Sequence, residues 1–170
     1  MLEGLRRVLK AKAWRHKKEW QADCVATDLV VLVKPMTYVN RTGEAVLAIT
    51  NHYKAAPSDF LFVCDDVNLM FPKLRLRESG SAGGHHGLES VIESFGHGDF
   101  ARLRIGVGNE SMPTDDLTKF VLEHFSRQEE GQINLILDNV ISICKTWVEE
   151  GFQTAMTRVS QLQSNLEREE

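Results

Sequence analysis

Two adjacent histidines, His85 and His86, stand in the stretch SGSAGGHHGLESVIESF, Ser79 to Phe95. Six of its first eight residues are Gly, Ser or Ala, and an apolar pattern of helical spacing follows. Glycines allow backbone angles barred to other residues, and a helix start presents free N–H groups, so a phosphate, a metal and a reacting group are the chemistries to weigh. The stretch is neither a Walker loop, since no Gly-Lys-Ser/Thr follows, nor a GxGxxG fingerprint. Neighbouring histidines rarely aim at one metal, and no HxxxH or HExxH frames them. A tight structural turn is the plain alternative. Asp65 and Asp66 close the apolar run DFLFVCDD. A carboxylate at a strand end can hold a histidine in its useful tautomer, or merely cap the next turn. Cys64 is conceivable as a nucleophile beside His85 but better suits a small inward-facing strand residue.

The elements that position these groups alternate. Leu2 to Trp14 has helical spacing. DLVVLVKP, Asp28 to Pro35, is a β-branched run stopped by proline, which predicts a buried strand. TGEAVLAITNHYK follows as a helix with Thr42 as N-cap. Asp59 to Asp66 predicts a second buried strand. KLRLRES, Lys73 to Ser79, alternates as a strand with one wet face does. A helix from Leu88, a strand over ARLRIGVG (Ala101 to Gly108), and helices over DDLTKFVLEHF, EEGQINLILDNVISICKTWVEEGF and the tail complete the chain. Strands alternating with helices predict an α/β/α domain around a twisted, mostly parallel sheet, mixed because of the alternating strand. In such sheets ligand groups gather beyond the C-terminal strand ends, where Asn40, Asp65 and the glycine loop all fall.

The chain has 170 residues, an apolar fraction of 42%, a charged fraction of 26% and a net charge of −4. These values fit one globular domain and exclude a disordered chain. No apolar run approaches bilayer length, and the basic N-terminus lacks a signal peptide's apolar stretch, leaving organelle targeting as a minor reading. Cys24, Cys64 and Cys144 have no metal-like spacing and fit a reducing cytoplasm. The sequon at Asn40 to Thr42 is accidental without secretion. Lys73, Arg75, Arg77, Arg102 and Arg104 form two tight basic groups, and a local basic face binds phosphate whatever the total charge.

Taken in order, KPMTYVNRTGEAV, DDVNLMFPKLRLRESGSAGGHHGL and FARLRIGVG resemble the bacterial-type peptidyl-tRNA hydrolase family from about Trp14 to the end of the chain. The resemblance implies a monomeric α/β/α protein of the cytoplasm that hydrolyses the ester between a peptide and the terminal ribose of tRNA. It implies no metal or other cofactor and no membrane. A histidine base would activate water, Asp65 would orient that base, Asn40 would hold the peptidyl end, and Tyr38 would flank it. Arg75, Arg77 and Arg104 match positions that grip tRNA phosphate, work suited to a planar fork. His85 and His86 fall in the substrate-binding loop.

Departures from the family pattern are specific. The opening strand, the GLGNPG-like turn and the TRHN-like segment carrying the catalytic histidine have no match, and MLEGLRRVLKAKAW resembles the middle of the family's first helix. Met1 is therefore expected to be an internal methionine, and hydrolysis by this chain to be weak. His86 replaces a substrate-binding asparagine; it would serve as base only within reach of water and of Asp65. LMFPK stands where LPPGK is usual. The alternative is a non-catalytic RNA-binding protein on the same fold.

Overall fold

The computed structural model describes residues 1–110, 112 and 117–169. The elements run α1 (Leu2–Val8), β1 (Arg15–Lys17), β2 (Ala22–Ala26), β3 (Val31–Pro35), α2 (Thr42–Tyr53), β4 (Leu61–Met70), β5 (Leu74–Arg77), α3 (His86–Phe95), β6 (Ala101–Gly108), α4 (Leu117–Leu122), α5 (Arg127–Glu150) and α6 (Phe152–Glu169). The class is α/β. The chain groups into two compact units: one holds 2–61 and 78–101, the other 62–77 and 102–170 together with Met1.

The first unit is built on a sheet of order β1-β2-β3. Both its ladders are antiparallel, with Lys17 opposite Ala22 and Ala22 opposite Pro35. Its connections at 18–21 and 27–30 are too short for a parallel crossover. Trp20, Ala22, Cys24 and Ile49 form the buried core, flanked by Val31, Val33, Ala48 and Phe60. Here the structure corrects the sequence reading. The first helix stops at Val8 instead of reaching Trp14, and Lys10 turns the chain at φ +52°. The hairpin β1–β2 lies in a stretch with no strand signal. The β-branched run is a half-buried strand in which Leu32 alone is buried.

The second unit contains a sheet of order β4-β6-β5, with β5 antiparallel to β6 and Arg75 opposite Arg104. β5 alternates as expected, with Leu74 and Leu76 buried and Arg75 and Arg77 exposed. β4 and β6 approach so closely that a Cβ on Gly106 or Gly108 would lie 2.4 Å from a β4 carbonyl oxygen. In α5, Ile136, Val140, Ile143 and Cys144 form a buried stripe, as 3.6-residue periodicity requires. Gln163 of α6 donates to the Leu74 carbonyl of β5. The helix expected over DDLTKFVLEHF is present as α4, its first two residues lying outside the described residues.

Candidate functional site

β3 ends at Pro35, and a single 3-10 turn, Val39–Arg41, carries the chain into α2. The Arg41 N–H donates to the Tyr38 carbonyl at 2.9 Å, and the Thr42 hydroxyl donates to the Val39 carbonyl at 2.8 Å. Thr42 thus braces the turn instead of capping the helix, a correction that follows from its hydroxyl facing backward. Arg41 grips both oxygens of Glu44, at 2.6 and 2.8 Å. That grip raises the Arg41 pKa and holds Glu44 below the usual carboxylate range. Tyr38 and Asn40 are left exposed by this fixed turn, Tyr38 at 80%.

The glycine loop meets the same turn. Gly80, Gly83 and Gly84 adopt φ of +146°, +61° and +81°, which few other residues tolerate. His85 then ends the loop as the N-cap of α3: its Nδ1 accepts from the N–H groups of Gly87 at 3.0 Å and Leu88 at 3.2 Å. An accepting Nδ1 fixes the neutral tautomer with its proton on Nε2. His86 is exposed, with Nδ1 2.8 Å from Glu89 Oε2. The carboxylate found on His86 is therefore Glu89.

A Cβ on Gly87 would sit 3.1 Å from Val39 Cγ2, so loop and turn are pressed together. Behind them the Gly43 N–H donates to Ser90 Oγ at 3.0 Å, fixing the start of α2 against α3. The first unit thus brings together Tyr38, Asn40, His85 and His86. A cleft of about 400 Å³ lies beside them, lined by Gln21, Met36, Thr37, Tyr38 and Arg41.

Asp65, Arg75, Arg77 and Arg104 lie in the second unit. β4 continues to Met70, so Asp65 and Asp66 sit within the strand, not at its end. Successive strand residues face opposite ways. Asp66 is buried, accepts from Arg104 Nη1 at 3.1 Å, and accepts the Asn68 N–H at 2.9 Å; Asp65 is half-buried on the other face. Arg104 differs from the other two arginines. It is 7% exposed and engaged with Asp66, because β6 is the central strand, whereas Arg75 and Arg77 on the outer strand reach solvent.

Burial pushes the Cys64 thiol up to about 12, leaving negligible thiolate at neutral pH. Among the described residues no group of three or more His, Cys, Asp or Glu is placed to hold a metal ion. Among the described residues no helix is long and apolar enough to cross a membrane.

Fold and residues together define an α/β protein in which an exposed tyrosine, an asparagine and two histidines meet on one unit. The chain belongs to the peptidyl-tRNA hydrolase family, whose model matches residues 1–167. It is 46% identical over 112 residues to the peptidyl-tRNA hydrolase of Chlorobium chlorochromatii, covering 66% of this chain and 59% of the relative. Against that of Chlorobaculum tepidum it is 44% identical over 133 residues, covering 76% and 68%. The Acinetobacter baumannii peptidyl-tRNA hydrolase structure superimposes with a TM-score of 0.84 at 25% identity, covering 93% of this chain and 81% of that one. The chain thus spans 59% of the first relative's length and 68% of the second's.

Proposed function

We propose that this chain serves hydrolysis of the ester bond of peptidyl-tRNA in the cytoplasm, freeing peptide and tRNA for reuse in translation. The observation that carries the reading is the pairing of the Tyr38–Asn40 turn with the His85–His86 loop through Val39 and Gly87. That pairing sets amide, phenol and imidazole groups side by side where a peptidyl end needs both hydrogen bonds and a flat wall. The names of the relatives favour a hydrolase over a non-catalytic RNA-binding protein.

Asn40 holds the peptidyl end and Tyr38 flanks it. His85 shapes the loop as a cap, and His86 fills a position where the family pattern has asparagine. Asp65 orients a histidine base that matches no residue of this sequence. That base takes a proton from water, the water oxygen bonds to the ester carbonyl carbon, and the bond to the ribose oxygen breaks. The proton ends on the ribose oxygen. Arg75 and Arg77 take phosphates. The protein works as a monomer and as one domain.

The test is release of N-acyl-amino acid from N-acyl-aminoacyl-tRNA. This chain is compared with a form carrying the family's strand and histidine segment upstream. Acid–base assistance is worth about 10²- to 10⁴-fold, so the extended form should be faster by that order. Asp65→Asn should remove most of the gain. Hydrolysis by neither form refutes the reading, and full-rate hydrolysis by the short form refutes the role given to the upstream histidine.

A further inference from the structure

We propose that the basic β1–β2 hairpin, with the turn leading into it, is a second phosphate-binding surface that takes the backbone of the tRNA body. This rests on the peptidyl-tRNA reading above. Lys10, Lys12, Arg15 and Lys18 are all exposed. The neighbouring acids are already committed. Glu3 accepts from Arg6 at 2.5 Å and from Trp14 at 2.8 Å; Asp23 takes His16 at 2.9 Å; Glu19 lies 3.9 Å from Lys17. Among the described residues no carboxylate pairs with any of the four cations. Unneutralised exposed cations grouped on one element release counterions when a polyanion binds.

The surface is held rigidly. Trp20, 5% exposed, anchors the hairpin against His52 and Tyr53 at ring distances of 4.8 and 5.6 Å. Lys34 lies 4.0 Å over the Trp14 ring, and Lys17 lies 5.5 Å over that of Trp20. A membrane-binding face would instead present its tryptophans outward between the lysines.

The hairpin also connects to the proposed site. Lys17, Ala22 and Pro35 form one row across the sheet, and the Met36 N–H donates to the Gln21 carbonyl at 2.8 Å. Gln21 and Tyr38 line the same cleft. An RNA seated on the hairpin therefore has its path toward Asn40 along one continuous surface.

The experiment compares the full chain with the variant K10A/K12A/R15A/K18A and the charge-conserving variant K10R/K12R/R15K/K18R. Binding of deacylated tRNA is measured between about 50 and 200 mM salt. Each phosphate contact contributes about 0.9 to the slope of log affinity against log salt on a duplex, so the alanine variant should lose about 3 to 4. The charge-conserving variant should keep the slope. Hydrolysis of an N-acyl-aminoacyl adenosine, which has the ester without the RNA body, should be the same in all three. An unchanged slope in the alanine variant overturns the proposal, as does equal loss in the charge-conserving one. Loss of binding to anionic phospholipid vesicles with the tRNA slope unchanged would assign the surface to membranes. If the wild type binds tRNA yet neither it nor the upstream-extended form hydrolyses either ester, the hydrolase reading falls, and the interface is still decided by the slope. If it does not bind tRNA, the interface falls.

Discussion

Gly43 is the position where one added carbon should do most harm. It lies in the first turn of α2, where the backbone meets α3. A Cβ there would stand 2.1 Å from Ser94 Oγ and 2.2 Å from the Ser90 carbonyl oxygen. The serine hydroxyl can rotate away, but the carbonyl belongs to a helix and cannot move alone. Gly43→Ala must push α2 from α3 by about an ångström to restore ordinary contact. Overpacking of this kind costs about 1–3 kcal/mol. The Gly43 N–H bond to Ser90 Oγ would be strained at the same time, worth about 0.5–1.5 kcal/mol. Against this stands a helix-propensity gain of about 0.5–1 kcal/mol for alanine. The net expectation is a loss of about 1–3 kcal/mol, and for a chain of this size each kcal/mol lowers Tm by about 2–4 °C. Thermal unfolding followed by circular dichroism reads it directly. Gly131→Ala is the control: it lies in α5 with nothing within 4 Å of its would-be Cβ, so it should stabilise by about 0.5–1 kcal/mol. Ser90→Ala, which removes the hydroxyl without adding bulk, should cost about 1 kcal/mol. If Gly43→Ala leaves Tm within a degree of wild type, the close packing of α2 on α3 is refuted. The reason for the loop and turn standing together is refuted with it.

Three further outcomes follow from named contacts. Asp66→Ala leaves the Arg104 guanidinium buried without its carboxylate, a change of the type that costs about 3–5 kcal/mol; denaturant unfolding would show it, and a loss under 1 kcal/mol would mean Arg104 finds solvent. Cys144, with its thiol pushed up to about 12, and Cys24, at about 11, are both buried and should react with a thiol reagent at pH 7.5 only as fast as the protein opens. Rapid labelling of Cys144 in the folded state would contradict its burial. Glu129 closes the capping box of α5, accepting the Ser126 N–H at 2.7 Å, and that bond holds its pKa below the usual range. Its stabilisation is therefore present above the ordinary carboxylate pKa and is lost as pH falls through the lowered one. Glu129→Gln should flatten that part of the stability–pH curve in acid, and an unchanged curve would remove Glu129 from the cap.

Legibility in the sequence depended on whether burial left a periodic trace. β5 alternates in sequence because one of its faces is wet, and Leu74, Arg75, Leu76 and Arg77 fall on the expected sides. α3 was signalled by its glycines and apolar spacing, and His85 added a cap that sits three residues before the expected start. The hairpin left no trace. β1 is three residues long, two of its three side chains are exposed, and Arg15, His16 and Lys17 show no alternation for a pattern to catch. Asp65 and Asp66 looked like a strand end because adjacent acids usually mark a turn. The strand continues because Arg104 neutralises Asp66 from the next strand, a partner 38 residues away that no local rule reaches. The burial of Arg104 was hidden for the same reason: its neighbours in sequence match those of Arg75, but strand order decides which of them meets water.

Strand order also explains how four arginines coexist on one face. Arg75 lies opposite Arg104 and Arg77 opposite Arg102, arrangements in which like charges repel. Asp66 removes one charge from that face by pairing with Arg104 at 3.1 Å in a buried setting, where the attraction is least screened. The outer-strand arginines can then stay extended into solvent, where a phosphate is the natural counterion. A net charge of −4 hides this, just as it hides the hairpin. The screening length at physiological salt is about 8 Å, so a phosphate responds to the cations within that radius and not to the sum over the chain. What selects a polyanion here is which acids are already occupied. Glu3, Glu19 and Asp23 are, whereas among the described residues Lys10, Lys12, Arg15 and Lys18 pair with no carboxylate.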